Sequence, residues 1–218
     1  MFYIRYALYL VVLIESSLAL AGSYDDFFVA LRQDNAYELR RVLQRGFDPN
    51  SVGLNSQPAL IQALKVDAFK VAEVLMAHPE TDINVRSDKG ETPLMLAAIK
   101  GQIALCRQLL AREADVNKPG WAPLHYAASA GHTDIVTLLL EHFAYIDAEA
   151  PNGSTPLMMA ARYGTSDAVK ALLAAGADPA LRNAQGLTAL DLARRNDNSN
   201  TVAPLQEALG HSKSEGNW

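Results

Sequence analysis

Apolar residues in this chain recur with helical spacing, and the blocks that carry them recur in turn. The run Ile135, Val136, Leu138, Leu139 and Leu140 follows the i, i+3, i+4 pattern of one buried helical face. Another kind of block precedes such runs and returns at steps of 30, 33 and 33 residues: Thr92-Pro93-Leu94-Met95-Leu96-Ala97-Ala98, Ala122-Pro123-Leu124-His125-Tyr126-Ala127-Ala128, Thr155-Pro156-Leu157-Met158-Met159-Ala160-Ala161 and Thr188-Ala189-Leu190-Asp191-Leu192-Ala193. Thr at an N-cap offers its hydroxyl to first-turn N–H groups, and Pro at the next position has a preset φ and no N–H to leave unpaired. The following Leu faces the core, and the Ala pair is small enough for neighbouring helices to approach closely. Gly101, Gly131 and Gly164 stand nine residues after the cap, where a turn of positive φ is predicted before a second helix. Polar turns such as Ala114-Asp115-Val116-Asn117 and Gly176-Ala177-Asp178 close the second helix, and fingers ending at Lys89-Gly90, Asn152-Gly153 and Gln185-Gly186 follow. A fixed period of this length predicts a solenoid of stacked helix pairs, with one long surface in place of a closed catalytic pocket.

Weaker copies of the block lie upstream, at Pro58-Ala59-Leu60-Ile61-Gln62-Ala63 and Asp25-Asp26-Phe27-Phe28-Val29-Ala30. Five full repeats are thus expected from Asp25, Pro58, Thr92, Ala122 and Thr155, with a capping repeat from Thr188. The period and the T-P-L-H-x-A signature resemble the ankyrin repeat. The resemblance covers nearly all of the chain after residue 24 and implies an all-α solenoid of helix-turn-helix units with short β-hairpin or loop fingers. The expected organisation is a signal peptide over 1–21, repeats over 22–210 and a flexible tail over 211–218. Three departures from the family pattern stand out. The finger Asn117-Lys118-Pro119-Gly120-Trp121 is three residues short, leaving a notch for Trp121 to fill. The turn Ala77-His78-Pro79-Glu80-Thr81-Asp82 has one extra residue and no Gly. Glu113 and Phe143 occupy positions where the family prefers Gly, at roughly 1 kcal/mol each if φ is positive there.

The first residues predict export. Arg5 lies in a short n-region, Ala7 to Ile14 is an apolar run of eight, and Ala19-Leu20-Ala21 supplies a small-x-small cleavage site, so cleavage is expected after Ala21. The run, interrupted by Glu15, falls short of the ~20 apolar residues of a spanning helix, so no stable membrane insertion is expected after cleavage. The family resemblance, whose animal members are mostly intracellular, implies that a cleavable signal on a small repeat array belongs to a bacterial protein, so the periplasm is the expected compartment, with secretion the alternative. The net charge is −5, with no basic stripe interleaved with aromatics, which argues against nucleic acid as a partner. Cys106 is the one cysteine; aligned with Val136, it reads as a small core hydrophobe.

Chemistry finds little foothold. The histidines at 78, 125, 132, 142 and 211 lack ligand spacing, and there is no nucleophile elbow, phosphate loop or H-E-x-x-H, so no cofactor, metal or catalytic residue is expected. The resemblance implies that His125 ties neighbouring turns together. Asn152-Gly153-Ser154 matches a glycosylation sequon but reads better as a finger turn. Alignment of the repeats places Trp121, Tyr126, Met159, Arg162 and Tyr163 on neighbouring units of the surface that the family makes concave, together with Glu91 at the finger position of Trp121 and Lys100 at the position of Tyr163, and all seven are expected to bind a partner. Aromatic, Met and Arg residues are the types enriched in interface hot spots. A place in the core is the alternative for Tyr126 and Met159. The expected function is a monomeric, non-enzymatic module that binds a protein partner. An immunity protein or secreted effector is an alternative within that class, an envelope hydrolase or metal enzyme one outside it, and structural self-association through the first repeat a third.

Overall fold

The computed structural model describes residues 22–53 and 56–214, with side chains to residue 210. The expected signal segment, including Ala19 and Ala21 of the cleavage site, lies outside the described residues. Twelve helices run through the described residues, whose backbone divides into two compact units, one up to Gly90 and one from Glu91.

Within residues 22–90, α1 spans 22–32, α2 Ala36–Gln44, α3 Ala59–Lys65 and α4 Phe69–Ala77. The core is built from Phe27, Leu31, Leu39, Leu60, Ile61, Leu64 and Leu75, all essentially buried. Phe27 and Phe47 bring their rings to 4.8 Å and so seat the end of α2 on α1. Asn35 caps α2 by accepting the Glu38 N–H, and the Asp34 carboxylate accepts the Val71 N–H of α4.

Within residues 91–218 the order is α5 (Pro93–Ile99), α6 (Ile103–Ala111), α7 (Pro123–Ala130), α8 (Thr133–Glu141), α9 (Pro156–Tyr163), α10 (Ser166–Ala174), α11 (Ala189–Arg195) and α12 (Ser199–Ser214). The first helices of each pair, α5, α7, α9 and α11, pack side by side, as do the second helices α6, α8, α10 and α12. Close approach is possible because Ala97, Ala98, Ala127, Ala128, Ala160, Ala161 and Ala193 are buried where the helices meet. This is an all-α repeat solenoid architecture. Among the described residues the fingers form loops, and the one bridge, Val52 with Pro58, stands outside any sheet.

The caps follow from the sequence. Thr92, Thr155 and Thr188 each accept an N–H three residues on, from Met95, Met158 and Asp191. The third residue reaches back: the Sδ of Met95 and Met158 and a carboxylate oxygen of Asp191 accept the cap N–H. Those Thr188 hydrogen bonds hold the Asp191 carboxyl below the usual carboxylate range. Ala122 has no hydroxyl, and His125 alone closes that cap through Nδ1.

Two expectations are corrected. Gly164 is extended, with φ −87°, and not left-handed as its alignment with Gly101 and Gly131 implied. Its glycine is needed for closeness: a Cβ there would collide with the Ala128 carbonyl oxygen and the Ala160 backbone. Residues 211–214, expected in a tail, continue α12. A Gly such as Gly210 weakens a helix without ending it, and packing of α12 on α10 and α11 carries the helix on. Glu113 and Phe143 do adopt positive φ, 60° and 63°.

Candidate functional site

The short finger folds back on itself. Gly120 has φ 81°, and the Lys118 ammonium lies 3.5 Å from the carbonyl oxygens of Pro119 and Trp121. The compressed loop sets Trp121, half-buried, edge-on to His125 at 5.4 Å and to Tyr126 at 6.4 Å. Trp121, His125, Tyr126 and Ser129, with Ile99 of α5 and Met159 of α9, line a shallow groove of about 200 Å³ across three neighbouring first helices.

His125 is the floor of this groove and a structural strut. It is fully buried, its Nδ1 accepts the Ala122 N–H at 3.2 Å, and its Nε2 donates to the Ser154 carbonyl of the next finger at 3.0 Å. One acceptor and one donor define a neutral imidazole of fixed tautomer. Burial pushes its pKa below the ordinary histidine value, against the pull of those hydrogen bonds. A neutral ring with both nitrogens hydrogen-bonded leaves no free lone pair for a metal or for general-base work.

The structure brings together three of the residues expected at a partner surface, Trp121, Tyr126 and Met159, all half-buried, so each serves both core and groove. Burial raises the Tyr126 hydroxyl pKa, and the nearby Glu91 carboxylate raises it further. Glu91 therefore stands on the Tyr126 side of the groove without lining it. Arg162 and Tyr163 form their own group: the guanidinium sits 4.7 Å over the Tyr163 ring, which is 54% exposed, and Nε donates to Asn196 of the next turn at 3.2 Å. Arg162 is one helical turn beyond Met159 and extends the groove's edge along α9. Lys100 caps the C-terminus of α5, next to Ile99 and outside the lining. The helices α5, α7 and α9 carry no carboxylate, so the face beyond Glu91 is apolar and basic.

Ile99 and Ser129, which align with Arg162 on the surface expected to be concave, line the groove although they were not among the residues expected to bind a partner. Phe143 and Tyr145, both strongly exposed, lie outside the groove lining. Cys106 is buried, and burial, helped by Asp134, pushes its thiol up to about 12, which removes any thiolate chemistry. Among the described residues no group of three or more His, Cys, Asp or Glu could hold a metal ion, and no helix is long and apolar enough to cross a membrane. Asn152 makes the finger turn expected of it, its side chain accepting the Ser154 N–H and its carbonyl the Ala184 N–H.

Family models described as ankyrin repeats match residues 27–118, 60–150 and 139–193. The chain is 35% identical over 103 residues to the rat ankyrin repeat and SAM domain-containing protein 6, covering 45% of this chain and 12% of that protein. It is 31% identical over 148 residues to human neurogenic locus notch homolog protein 1, covering 66% of this chain and 5% of that one. The chain thus spans only a small part of the length of these relatives.

Proposed function

The chain belongs to the ankyrin-repeat family, and from that premise we propose that it is a protein-binding module whose contact surface is the groove at Trp121 with its Arg162–Tyr163 edge. Ankyrin repeats generally mediate protein–protein interaction, and the family is generally non-enzymatic. The observation that carries the finer reading is the groove itself: Trp121, Tyr126 and Met159 leave part of their surface open around a hollow of about 200 Å³, large enough for one apolar side chain of a partner. A buried neutral His125 fixes its floor, so the surface is preorganised and little ordering entropy opposes binding. An interface of roughly 800 Å² per partner would extend from this hollow across the neighbouring first helices.

The same proposal places the protein in the periplasm, on the strength of Arg5, the apolar run to Ile14 and the Ala19-Leu20-Ala21 site. The relatives named above are animal proteins and lend this part no support. Intact mass of the exported protein is expected to begin at Gly22; a mass that includes Met1 overturns the targeting.

Binding is tested by capture from envelope extract with the full chain beside Trp121→Ala/Tyr163→Ala, circular dichroism serving as the fold control. A partner held by the parent and lost from a variant of unchanged helicity is the expected result. Equal capture by both chains overturns the assignment of the surface.

A further inference from the structure

Phe143 carries two costs that the fold does not recover. The residue is 84% exposed, and its backbone sits at φ 63°, where a bulky L-residue is strained. Two residues on, Tyr145 is 69% exposed. The turn that holds them is hydrogen-bonded on both sides. Asn117, from the preceding turn, donates Nδ2 to the Phe143 carbonyl and accepts the Tyr145 N–H through Oδ1, both at 2.8 Å. The Phe143 and Ala144 N–H groups bond the Leu140 and Leu139 carbonyls at 3.0 and 2.9 Å, and Ala144 between the aromatics is buried. Two rings are therefore pinned toward solvent by a well-bonded backbone. Strain and exposure held in place this way point to a ligand-facing role.

The neighbours in register say what kind of ligand. Glu113 takes the place of Phe143 in the preceding turn, with the same left-handed backbone at φ 60°, and Asp115 takes the place of Tyr145. Asp178 takes that place in the following turn, where its N–H meets the Asp147 carboxylate at 3.3 Å. Arg112 and His142 precede the two turns as helix C-caps. In register along this edge, the two aromatic positions thus have carboxylate positions in the turns on either side. Exposed rings with carboxylates in the neighbouring turns suit guanidinium and ammonium groups, which gain cation–π attraction and a counter-charge together.

We propose that the turn at Phe143 and Tyr145 is a second docking surface, separate from the Trp121 groove, and that its occupant is a basic protein segment bearing arginine or lysine. The test titrates the full chain with a synthetic peptide of alternating Arg and Ala, and with its Glu-for-Arg counterpart, by calorimetry at physiological salt. The variant is Phe143→Gly/Tyr145→Ala, which leaves the net charge at −5. Its first substitution relieves the strained backbone, so the thermal midpoint is expected to hold or rise and a binding loss cannot come from misfolding. The expected result is binding of the arginine peptide, roughly tenfold weaker in the variant, and none of the glutamate peptide. Equal affinity of parent and variant for the arginine peptide would reduce the effect to diffuse charge and overturn the proposal. So would absence of binding by the parent, or equal binding of the two peptides.

Discussion

The turns that join each first helix to its second, at Gly101, Gly131 and Gly164, differ from those that close the second helices, at Glu113, Phe143 and Gly176, in what surrounds the α-carbon. A Cβ on Gly101 would run into the His132 imidazole, one on Gly131 into Thr165, and one on Gly164 into backbone of Ala128 and Ala160. Gly176 has no atom within 4 Å of such a Cβ. At Gly101 and Gly131 the row is packed because the next repeat reaches back into it, His132 bonding the Ile99 carbonyl and Thr165 the Gly131 carbonyl; Gly164 instead lies against the preceding α7 and its own helix α9, while Asn198 of the next repeat bonds the Ala161 and Gly164 carbonyls. In the packed row glycine makes room for a neighbour, while in the open row it only eases the dihedral. Side chains can therefore appear in the open row at modest cost, and there the chain presents Phe143 and Tyr145 to solvent.

The sharpest break of the packed side comes at His125, which spans from its own cap to the next finger. His125→Ala leaves the Ala122 N–H and the Ser154 carbonyl without this partner and opens a cavity, and is expected to cost about 3 kcal/mol in chemical denaturation. The pH dependence follows from the same ring. Its native pKa lies below the ordinary value of 6.5, so the unfolded chain binds the proton first as pH falls. His125 thus leaves stability flat above that value and removes up to ~1.4 kcal/mol per pH unit below it, until the native pKa is reached. That slope is expected to vanish in His125→Ala. Gly164→Ala is next, at about 2 kcal/mol, because the atoms in its way are backbone and cannot rotate aside. In the open row the effects shrink and change sign: Gly176→Ala is expected to cost about 1 kcal/mol from its φ of 97° alone, and Phe143→Gly to gain a similar amount. If Gly164→Ala proved as mild as Gly176→Ala, the distinction between the rows would be lost.

These contrasts mark what was legible in the sequence. Thr-Pro-Leu starts and Ala pairs are local and short-ranged, so the helices and their packing could be read directly. The positive φ of Glu113 and Phe143 could be read from register alone. Gly164 could not, because its role depends on the backbone of α7, a contact between repeats. Asp34, Asp67 and Asp197 occupy left-handed positions that the sequence reading passed over, although Asp tolerates that region better than most residues. At the groove, residue type pointed to Trp121, Tyr126 and Met159, while the separation of Arg162 and Tyr163 into a stacked pair depended on rotamers that no spacing encodes.

The most direct test of the binding account is hydrogen–deuterium exchange of the full chain with and without its captured partner. The account predicts new protection at residues 96–101, 121–130 and 159–163, the backbone around the groove and its edge. Protection that spares all three stretches would contradict it.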